Sequence, residues 1–328
     1  MHKVSLANAK SFDAADTVSL LDAAAAAGVT LEYSCRNGRC GVCKTRLLAG
    51  TTQLIQPEES LAASEAEAGV ILTCCRAATS DVTIEAEDLS FLAGIHPKTL
   101  PCRIDSLEPQ SATVLKVVLR LPPTAGFVFL PGQYIDVIAP EGFRRSYSLA
   151  NAPRIDGRLE LYIAAVDGGR MSQYWFSQAK VNDLLRLEGP FGTFCLREHL
   201  PPRLVFLATG TGIAPVKALL EQLGHDGVSV GRELRVYWGL RHEQDICWQP
   251  GPEHAGADFI PVLSRADAAW TGRRGYVQQA LLQDLPDLAE TAVFACGSPD
   301  MIAAARELLP AAGLSARLLF SDAFVSTN

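Results

Sequence analysis

Residues 33–43, YSCRNGRCGVC, and residues 71–75, ILTCC, decide how this chain is read. Cys35, Cys40 and Cys43 carry C-x4-C-x2-C spacing, and Cys74 or Cys75 supplies a fourth thiol well downstream. Four thiolates in that pattern suit two irons bridged by sulfide, a centre that moves one electron at a time. Such a centre needs backbone N–H groups aimed at its sulfurs, and Gly38 and Gly41 allow the tight, left-handed turns that aim them. A zinc knuckle pairs two short C-x2-C units, whereas only one is present here, so redox chemistry is the expectation.

Working outward, residues 1–90 read as one compact unit. It holds a short N-terminal strand, an Ala-rich helix over 17–28 and the cysteine loop, with a closing strand at 81–87. Asp13 or Asp16 is expected to cap the helix and Gly28 to stop it. Residues 1–88 contain twelve acids and seven bases, yet five bases, Arg36, Arg39, Lys44, Arg46 and Arg76, lie in or beside the cysteine segments. They either offset the negative charge of a cluster or form a basic rim, centred on Arg36 and Arg39, where an acidic electron acceptor docks. Residues 91–98, with Gly94 and Pro97, read as a linker.

From 99 to 200 the runs ATVLKVVLRL, GQYIDVIA, RSYSLAN, RLELYIAAV and LLRLEGPFGTF recur with Pro and Gly between them, the pattern of an antiparallel barrel. From 201 to 328 strand and helix signals alternate, as in a doubly wound parallel sheet. The fold class expected is therefore multidomain, α+β followed by α/β.

Three motifs in the barrel segment carry chemistry. In FRRSYSLANAP, 143–153, Arg145 can pair with a pyrophosphate, Tyr147 can lie against a flavin ring and Ser148 can hydrogen-bond its hydride-accepting nitrogen. In VDGGRMSQYWF, 166–176, Gly168, Gly169, Met171 and Ser172 open a helix whose N-terminus favours phosphate. GPFGTF, 189–194, closes the set. Further on, LVFLATGTGIAP, 204–215, is a strand, a glycine turn and a helix start: Gly210, Thr211 and Gly212 let a dinucleotide pyrophosphate approach, and Pro215 replaces the third glycine of the general fingerprint.

In order and spacing, these motifs resemble the ferredoxin-NADP reductase superfamily. The whole chain is similar to its members built as plant-type ferredoxin, FAD module and NAD module. The resemblance implies a β-grasp ferredoxin domain and takes Cys74 as the fourth ligand, from the pattern LTC…SD, leaving Cys75 a bystander. It also implies that Cys296 and Gly297, in ACGSPDM, lie beside the nicotinamide carbon that yields hydride. Phe324, in SDAFV, would stand against the flavin face, with Phe320 as the competing candidate. Ser264 and Arg265, with Arg241, can meet a 2′-phosphate and favour NADPH, whereas relatives with this domain order mostly use NADH, which is the preference adopted.

The activity implied is an NAD(P)H-dependent electron-transfer reductase: a hydride brings two electrons to FAD, and the [2Fe-2S] cluster passes them singly to a partner protein. Ser148, Cys296 and Phe324 are the residues expected at the reacting atoms. The acceptor expected is the terminal oxygenase of a Rieske-type system. PCRIDSLE, RLPPTA, RRSYSLANAP, EGPFGTF and SDAFV are instead most similar to reductases that serve a dehydrase in 3,6-dideoxysugar synthesis, the alternative. An electron carrier or redox sensor without enzymatic activity is the reading from another class.

Composition bounds the rest. With 328 residues and a net charge of −7, the chain exceeds one core and lacks the cationic surface of a general nucleic-acid binder. Nine cysteines and an N-terminus without an apolar export segment point to a cytoplasmic protein whose thiols are ligands or buried groups. No stretch is long and apolar enough to suggest a membrane span.

Overall fold

The computed structural model describes residues 1–227 and 229–325. The chain divides into two compact units, Met1–Ile95 and His96–Asn328. No helix among the described residues is long and apolar enough to cross a membrane.

The first unit runs β1 (His2–Leu6), β2 (Ser11–Ala14), α1 (Leu20–Ala26), β3 (Lys44–Ala49), β4 (Thr52–Leu54), α2 (Ala63–Glu67), β5 (Val70–Leu72), β6 (Arg76–Ala78) and β7 (Val82–Ile84). Its main sheet has the order β2-β1-β7-β3-β5, with β1 and β7 parallel, while β4 and β6 pair separately. Period-two alternation turns Val4 and Leu6 of β1 inward. There they meet Leu20, Leu21 and Ala24 of α1.

α1 begins later than the sequence suggests. Ser19 is its N-cap, accepting the Asp22 N–H at 2.9 Å, because Asp13 is committed to β2, opposite Lys3. At the other end Gly28 has φ +75°, and the N–H groups of Val29 and Gly28 reach the carbonyls of Ala24 and Ala25. That paired closure requires a left-handed residue, which glycine supplies without a Cβ clash.

The second unit opens with six strands: β8 (Lys98–Pro109), β9 (Val114–Arg120), β10 (Tyr134–Ile138), β11 (Arg144–Ser148), β12 (Arg158–Ala164) and β13 (Leu184–Phe191). Between β12 and β13 lies α3 (Arg170–Gln173), continued by a π turn over Tyr174–Gln178. The sheet order is β11-β10-β13-β8-β9-β12, every neighbour pair antiparallel, and a bridge between Leu149 and Leu161 links its two ends into a nearly closed barrel. Ile104, Val117, Leu119, Ile135, Val137, Leu161 and Leu187 fill the interior.

β8 was hidden from the sequence reading by its prolines. Pro101 faces Arg186 of β13, but β9 joins β8 only from Arg103 onward, so the missing N–H falls where β8 has one neighbour.

The remaining elements are β14 (Arg203–Thr209), a 3-10 turn over Gly210–Gly212, α4 (Ile213–His225), β15 (Glu233–Leu240), β16 (Asp258–Leu263), β17 (Arg273–Arg274), α5 (Val277–Asp284), β18 (Thr291–Gly297), α6 (Pro299–Leu308) and β19 (Leu319–Ala323). All pairs in the order β17-β16-β15-β14-β18-β19 are parallel. Leu204 to Ala208 are all buried without alternation, because helices cover both faces of a parallel sheet. The order reverses direction at β14, so the crevice outside the carboxyl ends of β14 and β18 is where such a sheet takes its ligand.

Candidate functional site

In the first unit the four thiols come as two pairs. Cys35 and Cys40 exchange contacts across the loop, with the Cys35 N–H 3.5 Å from Cys40 Sγ and the Cys40 N–H 3.3 Å from Cys35 Sγ. Cys43 Sγ lies 3.3 Å from Cys74 Sγ. Among the described residues no three His, Cys, Asp or Glu side chains are arranged around a single metal ion. Two pairs suit two irons, each of which takes two thiolates and two sulfides.

Arg36, Gly38 and Gly41 have φ of +60°, +80° and +69°, turning loop N–H groups toward the sulfurs. The Cys40 thiol, hydrogen-bonded to Cys35, holds the Cys35 thiol down at about 6. Cys75 Sγ sits 3.4 Å from Cys74 Sγ and also donates to the Pro57 carbonyl. Gln56 Nε2 donates to the carbonyls of Arg36 and Cys74, at 3.1 and 2.6 Å, tying the two cysteine segments together. Sequence reasoning missed this glutamine, which carries no motif.

Four of the five bases near the loop are neutralised locally. Arg36 pairs with Asp22, Arg39 with Glu59 at 3.1 Å, Lys44 with Glu65 at 2.6 Å and Arg76 with Glu58 at 2.7 Å.

In the barrel, β11 is the terminal strand of its sheet, and Arg145, Tyr147 and Ser148 line it. Register sets Arg145 opposite Val137 and Tyr147 opposite Ile135, on one face, with Ser148 opposite Tyr134 on the other. A ligand touching all three must lie along the open edge of the strand. Tyr147 accepts the Trp175 Nε1–H at 3.1 Å and meets that ring edge-on, which fixes the phenol. Gly168 has φ +70° and Gly169 caps α3, a single turn, so the expected phosphate-binding helix is short. Ser172 Oγ accepts the Val166 N–H at 2.9 Å, and Met171 is buried in the barrel core.

The other residues lie at or just beyond the carboxyl ends of the parallel strands. Gly212 abuts β18: a Cβ there would stand 2.3 Å from the Cys296 carbonyl oxygen. Gly297, at φ +123°, abuts β14, where a Cβ would stand 2.4 Å from Thr209 Oγ1. Trp238 Nε1 donates to the Gly210 carbonyl at 2.8 Å, and Thr209 Oγ1 accepts the Ser298 N–H at 2.8 Å. Pro215 falls in the first turn of α4, where no N–H is missed.

Cys296 is fully buried, its thiol 4.0 Å from the buried Asp322 carboxylate. Burial, reinforced by Asp322, pushes that thiol well above its ordinary value, so it stays S–H rather than becoming a nucleophile. Asp322 was overlooked although it stands in the SDAFV stretch. The Phe324 N–H bonds the Gly297 carbonyl at 2.8 Å, and the residue is 36 % exposed. Phe320, by contrast, packs on Phe294 at 4.8 Å within the core. Ser264, Arg265 and Arg241 are exposed together past the ends of β15 and β16, where the Arg265 N–H bonds the Arg241 carbonyl at 2.9 Å.

Known proteins agree with this arrangement. Residues 6–79 match the family model of 2Fe-2S iron-sulfur cluster binding domains, 101–195 that of oxidoreductase FAD-binding domains and 206–307 that of oxidoreductase NAD-binding domains. A CDP-6-deoxy-L-threo-D-glycero-4-hexulose-3-dehydrase reductase of Yersinia pseudotuberculosis is 42 % identical over 97 % of this chain and 96 % of its own length. The toluate 1,2-dioxygenase electron transfer component of Pseudomonas putida is 30 % identical over 96 % of this chain and 95 % of its own. Among solved structures, an Amycolatopsis cytochrome P450 reductase superposes with a TM-score of 0.74 at 28 % identity, covering 99 % of both chains. The chain belongs to the family of ferredoxin-containing NAD(P)H reductases, flavin iron–sulfur oxidoreductases that bind FAD, NAD(P)H and a [2Fe-2S] cluster and deliver electrons to a protein partner.

Proposed function

We propose that the chain supplies electrons to a dehydrase acting on a CDP-linked 4-keto-6-deoxyhexose, with NADH as the donor. What carries this reading is likeness along nearly the whole chain: 42 % identity to the Yersinia dehydrase reductase against 30 % to the toluate dioxygenase component. An oxygenase component is the second reading, favoured by the number of oxygenase reductases among the relatives, propane 2-monooxygenase reductases included.

When bound, a nicotinamide would supply hydride, FAD would convert a two-electron donor to one-electron delivery, and a [2Fe-2S] cluster would carry single electrons outward. The protein's part is placement. Gly210, Thr211 and Gly212 at the start of α4 offer N–H groups to the pyrophosphate, and the absence of a Cβ at Gly212 and Gly297 lets α4 and β18 close around the crevice. Cys296 keeps a neutral, buried S–H beside the crevice, and Phe324 would stand against the flavin face. On the barrel, Arg145 pairs with the FAD pyrophosphate, Tyr147 supports the ring, Ser148 donates to its hydride-accepting nitrogen, and Gly168, Gly169, Met171 and Ser172 shape the phosphate loop. Ser264 and Arg265 border the adenosine ribose. Cys35 and Cys40 hold one iron, Cys43 and Cys74 the other, and Cys74 is preferred to Cys75 because only its thiol faces Cys43.

The acceptor approaches on the side of Cys35, the ligand left partly exposed. The basic rim is a weaker element than its arginines suggest, since Asp22 and Glu59 offset Arg36 and Arg39. Charge reversal at both arginines should therefore change the salt dependence of transfer only modestly. The decisive experiment is anaerobic: purified protein should show flavin and iron–sulfur absorbance, bleach with NADH, and then reduce a purified CDP-sugar dehydrase. Bleaching without transfer to that dehydrase, but with transfer to an oxygenase component, would overturn the choice of acceptor.

A further inference from the structure

A buried ionic cluster ties the flavin barrel to the helix that carries the nicotinamide turn. Lys217 and Glu221 lie one helical turn apart on α4, directly downstream of Gly210–Gly212. Lys217 Nζ donates to the Ala150 carbonyl at 2.9 Å and reaches Glu160 of β12 at 3.2 Å, besides pairing with Glu221. Glu221 accepts the Ala152 N–H at 2.9 Å and holds Arg154 at 3.2 Å, and Arg154 returns to Glu160 at 2.6 Å. The side chains of Lys217, Glu160 and Glu221 are 9, 8 and 7 % exposed, so water screens these pairs little. His254, 3 % exposed, completes the cluster: its Nδ1 accepts the Gly251 N–H at 2.8 Å, which leaves the Nε2–H facing Glu221 at 3.9 Å.

The partners on the barrel side are Ala150 and Ala152, immediately beyond Ser148 at the end of β11. The cluster therefore spans from the segment that ends in the flavin serine to the helix that begins at the nicotinamide turn. Two charged residues of each sign hold the gap, and every one of them has a partner from the other side. We propose that Lys217, Glu221, Glu160 and Arg154 are positioning residues that set the distance between flavin and nicotinamide for hydride transfer. This rests on the functional reading above and deepens it. Reaction rate is steep in such a distance: misplacement by about 1 Å costs about 10²-fold.

The test is the double variant Lys217→Met/Glu221→Gln, which removes one charge of each sign and leaves Arg154 and Glu160 paired, so no buried charge is stranded. In anaerobic stopped flow with NADH and 4-deuterated NADH, flavin reduction should slow about ten- to hundredfold. The flavin–nicotinamide charge-transfer absorbance should weaken, while the Kd for NADH moves less than about threefold and the cluster spectrum is unchanged. Should the double variant lose FAD, Arg154→Leu cuts the cluster from its more exposed end and is read in the same way. A folded, FAD-bound variant with the wild-type rate and charge-transfer band overturns the proposal, even if its Tm has fallen, because the cluster is then a bolt and nothing more. Failure of NADH to reduce the wild-type flavin would overturn the functional reading itself, and the proposal with it.

Discussion

Replacing Gly212 by alanine tests the crevice with a single carbon. The new Cβ would stand 2.3 Å from the Cys296 oxygen, 2.7 Å from its carbon and 2.9 Å from Gly297 Cα, all backbone atoms that no rotamer change can move aside. Ordinary contact begins about 1 Å further out, so α4 and β18 must separate by that much at their ends. Overpacking of this kind costs about 3 kcal/mol, the upper part of the usual range. In a unit of this size each kcal/mol lowers Tm by about 2–4 °C, so a fall of about 6–12 °C is expected in the flavin-detected thermal transition. Gly210→Ala is the comparison: φ there is +52° but nothing lies within 4 Å. Its cost is backbone strain alone, about 1 kcal/mol. Because the same separation moves the glycine turn from Gly297, Gly212→Ala should also slow flavin reduction by NADH at least about tenfold at saturating NADH. Equal Tm and equal reduction rate in Gly212→Ala and wild type would refute the close approach of α4 to β18.

Four further outcomes are expected. Gly38→Ala places a Cβ 2.1 Å from the Pro57 carbonyl at a φ of +80°, so the variant should lose the iron–sulfur absorbance while keeping NADH-dependent reduction of ferricyanide through the flavin. Cys75→Ser should retain the cluster, its hydroxyl replacing the thiol that donates to Pro57, whereas Cys74→Ser should not; electron paramagnetic resonance after dithionite reduction reads both. Trp175→Phe removes the hydrogen bond to Tyr147 and should lower stability by about 1 kcal/mol in urea titration and loosen FAD, measured as flavin released on dilution. Glu160 gives a pH signature: burial pushes its carboxyl up, but Lys217 and Arg154 outweigh that and hold it below its ordinary value of 4.5. Its stabilisation is then present above that value and lost as pH falls through the folded-state pKa, so Glu160→Gln should weaken the protein at neutral pH and flatten its acid limb.

The iron–sulfur, flavin and nicotinamide modules were legible because their chemistry tolerates few residue types at a set spacing. Where the sequence misled, local signals competed. Asp13 and Asp16 looked like helix caps, but only chain pairing could show that Asp13 belongs to β2 and leaves the role to Ser19. β8 was not among the strand runs read from the sequence, because only the register shows that its Pro101 lies beyond the reach of β9. Arg36 and Arg39 suggested a docking rim from local charge density, yet their carboxylates lie elsewhere in the chain, at Asp22 and Glu59, where the fold brings them together.

What the sequence by itself determined was the machine: an iron–sulfur module, a flavin barrel and a nicotinamide sheet, each announced by motifs whose residues are near neighbours in the chain. Only the tertiary structure decided what lies between distant segments. It sorted the exposed Phe324 from the buried Phe320, turned Cys75 toward Pro57, placed Asp322 against Cys296 and assembled Lys217, Glu221, Glu160 and Arg154 from two layers of the second unit. The physical reason is common to all of them. Burial and pairing are properties of contacts across the fold, and a residue separated from its partner by dozens of positions carries no local trace of it.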